Sequence, residues 1–240
     1  MDPDRARLAI SLVDLTNLND RCTADDIDAL VARAVDAGTA AVCVWPDFVR
    51  RASHGLVDTD IGVATVVNFP TGDERPYAVR VVTEHALDDG ATEVDVVLPY
   101  RAFLAGDRDW CAQLLDGVRD ATSDRAHMKV ILETGELADM STITAAARFA
   151  IDHGTDFVKT STGKSRVSAT PEAVAAMLTA IVAGGRTVGL KPSGGISDAE
   201  TADAYLDQVA ATMGEAYLAP ETFRFGASGV LDSLRAAAGG

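Results

Sequence analysis

The sequence predicts an α/β fold, a single (β/α)8 barrel, and three observations carry that prediction. Short apolar runs rich in β-branched residues recur eight times, each followed by a stretch rich in Ala, Asp, Glu and Arg. Strands that alternate with amphipathic helices build βαβ units and a parallel sheet. The length, 240 residues, is close to the usual size of a closed TIM barrel. Finally, the fingerprints common in open, doubly wound sheets are missing. No G-x-G-x-x-G follows the first apolar run, and no G-x-x-x-x-G-K-[ST] occurs. Gly163-Lys164-Ser165 looks like the end of a phosphate-binding P-loop but lacks the earlier glycine.

Taken in order, Leu8–Leu15 reads as the first strand. A helix follows over Ala24–Ala37, because Ile27, Leu30, Val31, Ala34 and Val35 share one face at helical spacing, and Gly38 ends it. Ala40–Trp45 and Ile61–Phe69 are strands two and three. A helical stretch closing at Gly90 leads to strand four, Glu93–Leu98. Met128–Glu133 is strand five, and a helix closing at Gly154 leads to strand six, Asp156–Thr160. Thr170-Pro171-Glu172 sets an N-cap before proline at the first helical position, ahead of strand seven at Thr187–Lys191. Ser197-Asp198-Ala199-Glu200 fits a capping box with Ser197 at the cap, and Phe223–Gly226 is strand eight. Glycine and proline are spread evenly, so residues 1–240 are read as one catalytic domain.

Composition supports a large core: 48% of residues are hydrophobic and the mean hydropathy is +0.10. With aromatics at 5%, Val, Ala, Leu and Ile must supply most of it. The formal charge of −15 repels nucleic acid and anionic lipid, and no Lys/Arg run offers either a footprint. Cys22, Cys43 and Cys111 lack paired spacing, so neither a disulfide framework nor a zinc motif is expected. Met1-Asp2-Pro3-Asp4-Arg5 lacks the regions of a signal peptide, and no apolar run reaches membrane-spanning length. The expected setting is the cytoplasm, and base rates for soluble enzymes favour a homodimer.

In a parallel barrel the chemistry sits at the C-terminal strand ends. The polar residues there are Asp14, Thr16, Cys43, Asn68, Asp95, Glu133, Lys159, Thr160 and Lys191. Two lysines on adjacent strands, Lys159 and Lys191, end apolar runs where a buried ammonium is costly. Desolvation and a neighbouring cation both lower a lysine pKa, and a neutral amine can attack a carbonyl to form an imine. Spacing alone equally allows both to cap strand-end carbonyls with their ammonium groups in solvent. Asp95 alternates with Val94 and Val96 and faces the lumen, as Asp14 does, either as a structural ion pair or as a proton relay. Cys43 reads first as a small core residue. His54 and His85 fall on helices, His127 in a loop and His153 in a last helical turn, which argues against a metal site. Lys191-Pro192-Ser193-Gly194-Gly195 and Phe225-Gly226-Ala227-Ser228-Gly229 follow the last two strands, where barrel loops often cradle phosphate.

These segments together resemble the deoxyribose-phosphate aldolase family. The resemblance runs through Val13-Asp14-Leu15-Thr16, Ala41-Val42-Cys43-Val44, Val67-Asn68-Phe69-Pro70-Thr71-Gly72 and Glu93-Val94-Asp95-Val96-Val97. It continues through Lys129-Val130-Ile131-Leu132-Glu133-Thr134, and its most specific parts are Phe157-Val158-Lys159-Thr160-Ser161-Thr162-Gly163 and Gly189-Leu190-Lys191-Pro192-Ser193-Gly194-Gly195. It implies a class I aldolase that needs no metal or other cofactor. Such an enzyme cleaves 2-deoxy-D-ribose 5-phosphate to D-glyceraldehyde 3-phosphate and acetaldehyde through a lysine Schiff base. By resemblance Lys159 forms the imine, Lys191 lowers its pKa and assists proton transfer, and Asp95 belongs to the proton relay. Asp14, Thr16, Cys43 and Lys164 match sugar-site positions. Gly163, Gly194, Gly195, Gly226 and Ser228 match the phosphate-binding backbone and hydroxyl.

The chain departs from the family pattern in three places. Ser197 stands where relatives often have Arg, Gly229 where many have a second Ser, and Arg235-Ala236-Ala237-Ala238-Gly239-Gly240 carries no terminal tyrosine. The first two bear on phosphate preference, and Ser197 also has a rationale as the helix cap. A Schiff-base aldolase for another donor or a non-phosphorylated acceptor, and a silent sugar-phosphate binder, are the competing readings.

Overall fold

The computed structural model describes residues 1–137 and 139–239; Gly240, the last residue of the tail considered above, lies outside them. The chain opens with α1 (Pro3–Ser11), then β1 (Val13–Asn17), α2 (Ala24–Ala37), β2 (Ala41–Val44), α3 (Val49–Gly55) and β3 (Gly62–Val67). It continues with α4 (Pro76–Asp88), β4 (Glu93–Val97), α5 (Tyr100–Leu104), α6 (Arg108–Thr122), β5 (His127–Ile131) and α7 (Met140–Asp152). The last third holds β6 (Phe157–Lys159), α8 (Pro171–Ala183), β7 (Gly189–Lys191), α9 (Ala199–Met213), β8 (Phe225–Ala227) and α10 (Val230–Ala238).

All neighbouring strands pair in parallel, in the order β7-β6-β5-β4-β3-β2-β1-β8. The ring closes between β7 and β8 through parallel bridges at Leu190–Phe223 and Ser193–Gly226. Backbone bonds such as Arg224 N–H to Leu190 O (3.1 Å) and Gly226 N–H to Pro192 O (2.9 Å) complete the seam. This is a (β/α)8 TIM barrel. Its apolar core lies between strands and helices, where Val42, Val44, Val94, Val96, Val130 and Val158 point outward onto Leu30, Val79, Leu114, Val118 and Ala147.

The first element corrects the sequence reading. Half of Leu8–Leu15, the residues Leu8–Ser11, belongs to α1, and β1 starts only at Val13. Asp2 caps α1 by accepting the N–H groups of Asp4 and Arg5, Pro3 takes the first turn, and Ala6, Ala9 and Ile10 bury one helical face. His127 opens β5 instead of lying in a loop. The cap of α9 is Asp198, which accepts from Thr201 N–H at 2.8 Å, while Ser197 bonds only to the Asp198 side chain. The capping role expected of Ser197 therefore belongs to its neighbour. Thr170 caps α8 as expected, and Gly38 closes α2 in the left-handed conformation.

Candidate active site

Alternation along the strands turns a set of charged side chains into the lumen. Lys159 of β6 and Lys191 of β7 are direct partners in register, so both ammonium groups enter at one level. Asp95 of β4 is in register with Lys129 of β5. Its Oδ2 accepts hydrogen bonds from Lys159 Nζ and Lys191 Nζ, both at 2.7 Å, and its Oδ1 accepts from Lys129 Nζ at 3.1 Å. Asp14 of β1 sits across the lumen, with Oδ2 2.5 Å from Lys191 Nζ and 3.4 Å from Lys129 Nζ. Lys159 is 3% exposed and Lys191 fully buried. Both side chains are thus buried, which removes the reading of the two as exposed strand caps.

The two lysines respond to this setting in opposite directions. Burial pulls the Lys159 pKa below the ordinary lysine value, Asp95 opposes the shift, and the Lys191 charge reinforces it. For Lys191 burial also pulls down, but Asp14 and Asp95 outweigh it and the group is held firmly as an ammonium. Burial would raise the Asp95 carboxyl, yet Lys129, Lys159 and Lys191 keep it well below the usual carboxylate range. Asp14 is likewise lowered against its burial by Lys191, Lys129 and Arg224. The result is one amine biased towards its neutral, nucleophilic form beside a fixed cation and a fixed carboxylate.

Three interior charges escaped the sequence reading of the site. Lys129, fully buried, contacts Glu93 as well as Asp95 and Asp14. Glu93 accepts from Arg224 Nη2 at 3.0 Å, and Arg224 Nη1 donates to Asp14 Oδ1 at 2.6 Å. Two of the three left a signal: Glu93 precedes Asp95 by two residues and shares its face, and Lys129 interrupts an apolar run.

Above the lumen, a cleft of about 490 Å³ opens among the loops after β1, β6, β7 and β8. Thr16, Gly163, Lys164, Gly194, Gly195, Gly226 and Ser228 line it, so the substrate- and phosphate-site candidates outside the lumen share one space. Gly163, Gly194 and Gly195 hold φ of 78°, 81° and 78°, where a side chain would be strained. Lys164 Nζ donates to Leu18 O at 2.9 Å and lies 3.2 Å from Asp20, drawing the β1 and β6 loops together. Gly226 joins cleft to lumen, because a Cβ there would lie 3.1 Å from Lys191 Cε and 2.5 Å from Ser193 Oγ. Ser197 is exposed and does not line the cleft. Asp14, Cys43, Asp95, Lys159 and Lys191 are lumen residues and do not line it either.

Cys43 is buried with Leu18, Ala64 and Val66, in register with Thr16, and burial raises its thiol pKa. Glu133 follows β5 in the left-handed conformation (φ 54°), an arrangement that costs a non-glycine residue about 1–2 kcal/mol. Its buried carboxylate accepts from Thr162 N–H (3.3 Å) and from the Thr162 and Ser165 hydroxyls, pinning the loop that follows Lys159. Thr160 Oγ1 in turn accepts from Ser193 N–H at 2.9 Å, tying the β6 loop to the β7 loop.

A family model described as DeoC/LacD family aldolase matches residues 8–234. A deoxyribose-phosphate aldolase of Agrobacterium fabrum is 49% identical over 242 residues, covering 99% of this chain and 93% of that one. Among solved structures, the apo form of a Toxoplasma gondii protein provisionally assigned as a deoxyribose-phosphate aldolase superposes with a TM-score of 0.89. It is 28% identical and covers 99% of this chain and 96% of that one. The deoxyribose-phosphate aldolase of Aeropyrum pernix, described as tetrameric, gives 0.80 at 27% identity, covering 96% and 91%. With a family match over residues 8–234, a relative 49% identical and a lumen built around a desolvated lysine, the chain belongs to the DeoC/LacD family of aldolases.

Proposed function

We propose that this aldolase reversibly cleaves 2-deoxy-D-ribose 5-phosphate to D-glyceraldehyde 3-phosphate and acetaldehyde, carrying the substrate as a Schiff base on Lys159. The observation that carries the reading is the Lys159–Asp95–Lys191 cluster: one carboxylate oxygen between two buried amines, with only Lys159 shifted towards neutrality. Lys159 Nζ attacks the C1 aldehyde of the open-chain sugar, and the carbinolamine loses water to give an iminium. Carbon count fixes the bond that breaks. Acetaldehyde keeps C1 and C2, so cleavage lies between C2 and C3.

As the C3 hydroxyl gives up its proton, the C2–C3 electrons flow into the iminium and leave an enamine, while the three-carbon aldehyde departs. Protonation at C2 and hydrolysis then release acetaldehyde and the free amine. Asp95 and Lys191 are the groups placed to pass these protons, directly or through a water. Asp14 holds Lys191 as a cation, Thr16 and Lys164 border the sugar path, and Cys43 lies in register with Thr16 on the neighbouring strand. The phosphate rests on the backbone of Gly163, Gly194, Gly195 and Gly226 with Ser228. Lys164 supplies the nearby positive charge that an acidic chain must provide locally.

The same reading takes the chain as one catalytic domain acting in the cytoplasm as a homodimer. No helix among the described residues is long and apolar enough to cross a membrane. The test of substrate is kcat/KM for acetaldehyde release from deoxyribose with and without its 5-phosphate. A preference of about 10²-fold or more for the phosphorylated sugar is expected from several backbone donors and one cation. Equal values would support an aldolase for non-phosphorylated acceptors instead.

A further inference from the structure

The interior charges do not stop at the cluster that meets the substrate. They continue in contact from Asp95 through Lys129 to Glu93 and Arg224, and Glu93 and Arg224 line an opening at the opposite, N-terminal end of the barrel. Asp14 links both levels, touching Lys191 on one side and Arg224 on the other. In this connected set four cations (Lys129, Lys159, Lys191, Arg224) face three carboxylates (Asp14, Glu93, Asp95). One cation is in excess. A low-dielectric lumen resists a net charge, and the excess falls where a cation has the least compensation.

Lys159 is that place. Lys191 has carboxylate oxygens of Asp14 and Asp95 at 2.5 and 2.7 Å, Lys129 contacts three carboxylates, and Arg224 contacts two. Lys159 has only Asp95, whose same oxygen it shares with Lys191. We propose that Glu93 and Arg224 are positioning residues for the aldol reaction: remote from the substrate, they fix the interior charge count and so leave Lys159 as the amine that gives up its proton. This rests on the reading of Lys159 as the imine-forming residue.

The charged and titratable groups around Lys159 are Asp95 on β4, Lys191 on β7, Lys129 on β5, Asp14 on β1 and the Cys43 thiol on β2. Glu133, a further buried carboxylate, has no cation within ion-pair distance among the described residues and is engaged by Thr162 and Ser165. Of these, only Lys129, which contacts Glu93, and Asp14, which accepts from Arg224, touch the floor. Arg224→Gln removes a positive charge, stabilises the Lys159 ammonium and should raise the acid limb of the kcat/KM–pH profile. Glu93→Gln should lower it. Each shift is expected to be on the order of one pH unit for a unit charge inside the barrel.

The experiment measures kcat/KM for deoxyribose 5-phosphate against pH in five proteins. These are the unaltered enzyme, Arg224→Gln, Glu93→Gln, the double variant and Arg224→Lys. Opposite shifts in the two single variants, with the double variant and Arg224→Lys returning towards the unaltered limb, are expected. A purely structural role lowers activity without moving the limb in opposite directions, and that result overturns the proposal. If Arg224→Gln does not fold, Glu93→Gln and Arg224→Lys decide alone, a downward shift in the first and none in the second being required. Borohydride trapping on the unaltered enzyme separates the two layers. An adduct on Lys159 with immobile pH limbs refutes only the role of the floor, whereas absence of that adduct refutes the reading beneath it.

Discussion

At the scale of single residues, the site works because one acid serves two amines. Asp95 Oδ2 is 2.7 Å from both Lys159 and Lys191, and both lysines are buried. Replacing Asp95 by Asn removes the charge but keeps the shape, so two ammonium groups would confront each other in a dry lumen. Breaking a buried ion pair by removing one partner costs about 3–5 kcal/mol. Losing the relay should lower kcat about 10²- to 10⁴-fold. Both losses are expected in Asp95→Asn, read by chemical denaturation and by acetaldehyde release. Retention of kcat within about twofold would reduce Asp95 to a structural ion pair. The reason Lys159, Lys191 and Asp95 were legible in the sequence is physical: charged residues inside Val- and Leu-rich strands stand out at period two. Arg224 did not, because it lies near the N-terminal start of the eighth apolar run, Phe223–Gly226, away from the C-terminal strand ends where chemistry is expected.

At the scale of elements, the strands place charge in the lumen and the loops shape the cleft. Seven strand positions were legible to within one or two residues at most ends, because apolar runs bounded by glycine and helix caps mark them well. The first was not. Leu8, Ala9, Ile10, Leu12 and Val13 read as one apolar run, and only the Asp2-Pro3 start and the spacing of Ala6, Ala9 and Ile10 reveal a helix that ends before β1. The glycine loops after β6 and β7 carry a sharper test. A Cβ on Gly194 would lie 2.6 Å from Ser168 Oγ and 3.1 Å from Gly163 Cα, at a φ of 81° that disfavours any side chain. Gly194→Ala should therefore push the β6 and β7 loops apart and raise KM for deoxyribose 5-phosphate about tenfold or more. KM for deoxyribose should be left nearly unchanged. Equal changes for both sugars would mean that Gly194 serves the loop fold and not the phosphate.

At the scale of the whole molecule, charge is arranged in two layers. The surface is acidic, while the lumen holds ion pairs with one cation in excess, which no composition figure reveals. Between them, on the N-terminal side, Asp156 shows how folding depends on pH. Burial raises its carboxyl, but His127 (3.9 Å), the Met128 N–H (2.7 Å) and Arg119 (2.8 Å) outweigh burial and hold it at about 2. A folded-state pKa below the unfolded value gives stability that is fully present above the unfolded pKa, about 4, and is lost as the pH falls. The stability gap between the unaltered protein and Asp156→Asn should thus be full above about pH 4 and close as the pH drops to about 2. A gap independent of pH would assign Asp156 a packing role alone. The barrel itself was legible from eight alternating runs, whereas the ladder of charge through its centre required the register of β4, β5, β6 and β7 to be known.

The central claim is that Lys159 carries the substrate, and borohydride reduction in the presence of acetaldehyde or deoxyribose 5-phosphate tests it most directly. Peptide mass spectrometry should find one reduced adduct, on the peptide containing Lys159, and Lys159→Ala should abolish both the adduct and turnover, the latter by on the order of 10³-fold or more. An adduct on Lys191 or Lys129, or near-native turnover in a folded Lys159→Ala protein, would contradict the account.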